Sequence, residues 1–132
     1  MTKKNIFISG ASRGIGKSMA QHFAKSNFNV VGTSRNNFKF DNDLENLLPI
    51  KLDITSRNDV KDCFDELKSK NLLPDILINN AGITADQLFL RMSDDDWDNV
   101  INTNLTGTFN LTKIFLKNMI KNKFGRIINI SS

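Results

Sequence analysis

Three glycines, Gly10, Gly14 and Gly16, crowd one short stretch as G-x-x-x-G-x-G, not the usual G-x-G-x-x-G, and could shape a phosphate-binding turn. Before them runs Lys4-Asn5-Ile6-Phe7-Ile8, an apolar run that fits a buried strand. After them Ile15, Met19 and Phe23 recur like one face of a helix. A helix start leaves its first backbone N–H groups unpaired and carries a partial positive charge. Glycine lets the chain turn sharply there and lets a phosphate come close. Glycine turns also serve geometry alone, but the strand before and the helix after favour a ligand. The stretch Ser9-Gly10-Ala11-Ser12-Arg13-Gly14-Ile15-Gly16 is therefore read as a cradle for a dinucleotide pyrophosphate.

Other side chains with chemical potential lie at the ends of further strand-like runs. After the second run comes Gly32-Thr33-Ser34-Arg35, with no carboxylate until Asp41. In dinucleotide-binding folds an acid at this place bonds the ribose hydroxyls of NAD, whereas an arginine accommodates the 2′-phosphate of NADP. Arg35, with Arg13 as a second cation, therefore points to NADP(H); the alternative is two solvated surface arginines. Asp53, in Leu52-Asp53-Ile54-Thr55, suits a turn or a helix N-cap. Asn79-Asn80-Ala81-Gly82 follows the fourth run, and small residues there let a ligand lie against the backbone. Asn104 falls on an apolar stripe with Trp97, Val100, Ile101, Leu105, Thr108 and Phe115, and a buried amide there needs its hydrogen bonds made. Ser131 and Ser132 put two hydroxyls at the end of the last run, the edge at which parallel sheets bind ligands.

The elements that must position these groups alternate. Strand-like runs occur at Asn5–Ser9, Asn29–Thr33, Ile50–Leu52, Asp75–Ile78 and Arg126–Ser131, with helical patterns between most of them. The clearest helix spans Ser56–Lys70, with Val60, Cys63, Phe64 and Leu67 on one face, Ser56 as its cap, and Asn71 and Pro74 ending it. Ser93 caps another, with three aspartates in its first turn. Asn36–Asn46 is polar and irregular and is expected to be a surface loop. The order predicts an α/β fold, a Rossmann-type doubly wound parallel sheet that stops after its fifth strand. A chain of 132 residues suits one domain, 1–132.

Composition narrows the function classes. The net charge of +4 is too mild and dispersed to argue for nucleic acid. No apolar run approaches the roughly 20 residues that span a bilayer. One histidine and one cysteine give no metal-ligand set. The lone Cys63 on a helix's apolar face is read as core, and it suits a reducing cytoplasm.

On two motifs, Gly10-x-x-x-Gly14-x-Gly16 and Asn79-Asn80-Ala81-Gly82, the sequence resembles the short-chain dehydrogenase/reductase family. Ser9 stands where the family's fingerprint has threonine, and it keeps the hydroxyl. The resemblance implies that Gly10, Ser12, Arg13, Gly14, Ile15, Gly16 and Arg35 hold the cofactor phosphates and ribose. It implies that Asp53 and Ile54 border the adenine, and that Asn80, Ala81 and Gly82 line the nicotinamide ribose. Asn104-Leu105-Thr106-Gly107 matches the family's N-x-x-G, whose asparagine holds a water in a proton relay. Ser132 matches the serine that bonds the substrate carbonyl. The family's proton donor is a tyrosine, and this sequence contains none. The chain is therefore expected to be the cofactor-binding N-terminal portion of a longer single-domain reductase, inactive alone and either marginally stable or associating.

Within the family the similarity is to reductases of 3-oxoacyl groups carried on acyl carrier protein, which use NADPH in fatty-acid elongation. That implies an acidic carrier as partner, with Lys123 at its docking position, and a homotetramer built partly through the helix of Asn104. For Lys121 and Lys123 the other reading is stabilisation of a helix C-terminus. Two alternatives stay open: another reductase of the family, such as one acting on acetoacetyl-coenzyme A or a steroid-like ketone, and a short NADP-binding protein without turnover.

Overall fold

A computed structural model describes residues 3–82 and 89–131 of the chain. Five strands form one parallel sheet in the order β3-β2-β1-β4-β5. They are β1 (Asn5–Ser9), β2 (Asn29–Ser34), β3 (Leu47–Lys51), β4 (Ile76–Asn79) and β5 (Arg126–Asn129). The helices are α1 (Gly14–Lys25), α2 (Arg57–Ser69), α3 (Asp94–Ile101) and α4 (Gly107–Lys121), with a short 3-10 turn at Phe89–Arg91 before α3. β1 lies at the centre, and its side chains alternate between two cores. Phe7 packs with Val31, Leu77 and Phe115 on the face that carries α2 and α4. Ile6 and Ile8 pack with Ala20, Ala24 and Val30 under α1. A strand buried on both faces reads as the continuous apolar run seen in the sequence. The chain passes from β1 to β2 and β3 on one side, then returns to β4 and β5 on the other. This opens a crevice beyond the carboxyl ends of β1 and β4.

Local chemistry sets the element ends. Ser56 accepts a hydrogen bond from the Asp59 N–H at 3.2 Å, and Ser93 accepts one from the Asp96 N–H at 3.0 Å. Asn27, Asn71 and Lys123 have φ of 74°, 60° and 55°, and each stops the helix before it by turning left-handed.

The structure departs from the sequence expectations in four places. On α1 the buried face is Gly16, Ala20 and Ala24, not Ile15, which is 64% exposed. These small residues let the helix lie close on the sheet, and the close approach turns Ile15 outward. β3 begins at Leu47 and includes Pro49. It is an edge strand, where proline is tolerated. The Asn46 carbonyl and the Leu52 N–H bond to β2, so by alternation residue 49 turns its nitrogen to the free edge. The loop after β2 is no plain surface loop. Phe38, Phe40 and Leu44 pack against the α1 core, and the Lys17–Asp41 ion pair at 2.9 Å holds the loop to α1. Fourth, the single long helix expected after Ser93 is interrupted by a wide π turn, Asn102–Thr106, in which the Gly107 N–H bonds the Asn102 carbonyl. The added residue rotates α4 relative to α3 by about 100°. Trp97 and Leu105 therefore stand exposed, and the buried row becomes Thr103, Gly107, Leu111, Phe115 and Met119.

Candidate functional site

The glycine turn between β1 and α1 faces the loop after β4, and each glycine has its own reason to be there. Gly10 and Gly14 have φ of 68° and 58°, which side chains disfavour. A Cβ at Gly10 would also lie 2.8 Å from the Ala81 Cα. Gly16 is a matter of space: a Cβ there would run into the Gly10 carbonyl oxygen and the Asn80 amide. Two hydrogen-bond sets fix this packing. The buried Ser9 Oγ accepts from the Asn80 N–H at 3.1 Å and from the Ala81 N–H at 3.0 Å. The Asn80 Nδ2 donates to the Gly10 carbonyl at 2.9 Å. The hydroxyl at position 9 thus couples the two motifs, which explains how serine serves where threonine would.

α1 begins at Gly14 with no side chain capping it and no acid in its first turn, so its leading N–H groups face the cleft uncompensated. The cleft has a volume of about 480 Å³. Its lining includes Gly10, Ser12, Arg13, Gly14 and Ile15, Ser34 and Arg35, Ile54, and Asn80, Ala81 and Gly82. All the cofactor-binding candidates from the sequence except Gly16 and Asp53 thus share one surface. Gly16 lies directly beneath it, against Gly10 and Asn80, and Asp53 opens onto a neighbouring hollow. No carboxylate lines the cleft among the described residues, while Arg13 and Arg35 both do. The Asp53 Oδ1 accepts from the Thr55 N–H at 3.0 Å and the Thr55 Oγ1 at 2.7 Å, so it holds the turn before α2. Ile54 beside it is clamped from behind: its carbonyl accepts from the Asn110 Nδ2 at 2.9 Å, and its side chain packs on Gly107.

Sequence reasoning missed Thr33, Ser34, Asn36, Leu52, Thr55 and Thr103, which also line the cleft. Thr103 precedes Asn104 in the π turn, and only the turn's geometry brings it inward.

Asn104 is half-buried, and its Oδ1 would be 3.1 Å from a Cβ at Gly82; glycine there leaves room for the amide beside the cleft-lining Gly82. Single π turns inside α-helices are frequent at functional sites. The buried Asn79 ties β4 to its neighbours. Its Nδ2 donates to the Asn129 Oδ1 at 2.9 Å and lies 3.2 Å from the Thr112 Oγ1. Asn129 is thereby fixed at the end of β5, two residues before Ser131. Ser132 lies outside the described residues. Lys123 is exposed at the end of α4, on a shallow hollow with Leu116 and Ile120, away from the cleft. Burial, with the Glu66 carboxylate adding to it, pushes the Cys63 thiol up to about 12.

The residues of this cleft fit a dinucleotide: a cradle that a Cβ would fill, uncapped helix N–H groups, and two arginines without a lining acid. Comparison with known proteins agrees with that chemistry. The 3-oxoacyl-[acyl-carrier-protein] reductase FabG of Buchnera aphidicola is 43% identical over 99% of this chain and 56% of its own. The acetoacetyl-CoA reductase of Cupriavidus necator is 41% identical over 100% of this chain and 57% of its own. The chain thus spans little more than half the length of these relatives. Among solved structures, ElxO with NADP bound superposes with a TM-score of 0.90 at 37% identity, over 99% of this chain and 56% of ElxO. A short chain dehydrogenase from Leptospira borgpetersenii with bound NAD+ gives 0.92 at 29% identity, over 100% of this chain and 52% of its own. The family model for short chain dehydrogenases matches residues 4–132, and the chain belongs to that family.

Proposed function

We propose that this chain is the NADP(H)-binding portion of a reductase that converts 3-oxoacyl-[acyl-carrier-protein] to the 3-hydroxyacyl form. The observation that carries the cofactor reading is the pairing of Arg13 and Arg35 on one cleft with no carboxylate among its described lining residues. A guanidinium binds a phosphate through two parallel hydrogen bonds, and a 2′-phosphate is what distinguishes NADP from NAD. The bound dinucleotide supplies a hydride. The chain's own part is to hold it: the glycine turn and the α1 N-terminus at the pyrophosphate, Ile54 against the adenine, Asn80 to Gly82 along the nicotinamide ribose. Ser132 donates to the substrate carbonyl, and Asn104 holds a relay water. The tyrosine that donates the final proton in the family is absent from these 132 residues, so that step belongs to sequence beyond them or to another chain.

The substrate assignment is supported by the FabG relatives. The likeness to acetoacetyl-CoA reductase favours a second reading, with coenzyme A carrying the keto acid. Our reading further includes Lys123 as a contact for an acidic carrier, a homotetramer built partly through the interrupted helix that carries Asn104, and a place in the cytoplasm. Among the described residues no helix is long and apolar enough to cross a membrane.

The test is turnover by the protein at its native length, with NADPH and NADH, on acetoacetyl groups carried by acyl carrier protein and by coenzyme A. Faster reduction of the carrier-bound substrate with NADPH is expected. Preference for the coenzyme A thioester selects the second reading, and preference for NADH overturns the role given to Arg13 and Arg35. Unchanged affinity for the carrier in Lys123→Glu removes that lysine from the docking surface.

A further inference from the structure

A second hollow lies away from the cofactor cleft. It is a groove of about 690 Å³ between α2 and α4. Its floor is apolar, made by Val60 and Phe64 of α2 and by Ile114 of α4, with the exposed Phe109 at one margin. Cations line it from both helices. Arg57, Lys61 and Lys68 rise from α2, and Lys113, Lys117 and Lys121 from α4. No carboxylate lines it among the described residues. Lys61 pairs with Asp65 at 2.7 Å just outside the groove and lies over the Phe64 ring, and Lys113 lies over Phe109.

We propose that this groove docks an acidic amphipathic helix of a partner protein. The charge distribution selects that occupant. Lys113, Lys117 and Lys121 recur every fourth residue and so form one straight row about 12 Å long. A row on each side of an apolar floor complements a helix whose apolar stripe is flanked by acids on both sides. A small anionic amphiphile would satisfy only one end of it. A bilayer surface is flat, and here the apolar residues are the floor of a hollow while the cations form its rim. A second copy of the chain, packed face to face, would set these cations opposite themselves, which costs free energy. The groove is independent of the reductase reading: none of the six cations lines the cofactor cleft, and Lys123 lies on a different hollow of α4.

The test is fluorescence anisotropy with a labelled synthetic helical peptide, its leucine stripe flanked by glutamates, against the native-length protein. Saturable binding that weakens steeply with salt is expected. Lys113→Glu/Lys117→Glu should weaken it at least about tenfold, with the melting temperature and the NADPH affinity unmoved. The proposal is overturned if the peptide fails to bind at millimolar concentration, if its lysine-for-glutamate counterpart binds as well, or if the double variant binds it equally. It is also overturned if phosphatidylserine vesicles or oligouridylate bind the same lysines more tightly than the peptide does. A change of oligomeric state in the double variant without loss of peptide affinity would mark the groove as a self-interface, and would equally sink the proposal.

Discussion

A methyl group at Gly16 has no room, because backbone on one side and the Asn80 amide on the other already fill the place. At Gly14 the place is open and only the φ of 58° asks for glycine. The two alanine variants should therefore separate. Gly16→Ala should lose about 1–3 kcal/mol of stability by overpacking and at least tenfold in dinucleotide affinity, since the cradle itself must shift. Gly14→Ala should lose about 1 kcal/mol through backbone strain and keep most of its affinity. Denaturant melts and calorimetric titration read both; equal losses at the two positions would contradict the packing argument. That these glycines lie in a turn between strand and helix was legible in the sequence. Which of them served space and which served φ was not, because the deciding neighbours, Asn80 and Ala81, are far along the chain. Ser9 was legible only as a hydroxyl; its two bonds to that same loop needed the fold. The Cys63 thiol gives a pH test. It stays protonated in the folded chain up to about 12, against 9.0 for an ordinary cysteine. Folding therefore holds a proton that the unfolded chain releases above pH 9, and stability should fall as pH rises through that window. Ellman's reagent should leave the folded protein unlabelled at pH 8 and react fully in denaturant.

The elements were most legible where one face settles the matter. α2 repeats an apolar row, carries a serine cap, and is found within one residue at each end of its expected span. Ser56→Ala should cost about 1 kcal/mol, the usual loss of such a cap. α1 was harder to read, since its buried row of Gly16, Ala20 and Ala24 is small and bulkier residues stand beside it. Ala20→Leu tests that reading: a larger side chain at 0% exposure should cost about 1–3 kcal/mol, whereas Ile15→Ala should cost little stability and act on cofactor affinity instead. The break between α3 and α4 left no sign in composition. An unbroken period puts Asn104 on the same stripe as Trp97; the π turn parts them, exposes Trp97 and leaves the amide against Gly82. Local propensity does not encode such a turn, and only packing against β4 and Ile54 does.

For the whole molecule the decisive feature is asymmetry of the sheet. β3, at one edge, is guarded by Pro49, while β5, at the other, has no such guard. Ile127, Ile128 and Ile130 are 38%, 45% and 41% exposed, and Leu116 and Ile120 of α4 add to the same side. An apolar edge strand with unpaired N–H and C=O groups is a template for pairing with another chain. The 132-residue chain on its own should therefore associate as its concentration rises. Lysine at an edge position opposes such pairing through charge and hydration. Ile128→Lys combined with Ile130→Lys should shift the chain towards monomer, with the fold kept because neither side chain belongs to a core cluster. Sedimentation velocity over a range of concentrations reads this directly. A mass that rises with concentration in the parent chain and stays monomeric in the lysine variant is the expected result; a parent chain that stays monomeric would mean that the edge is shielded by something other than paired strands. Association that persists in the lysine variant would move the contact to the α2–α4 side. The basic groove lies there, so the same experiment in high salt, which screens like charge, should then strengthen association rather than weaken it.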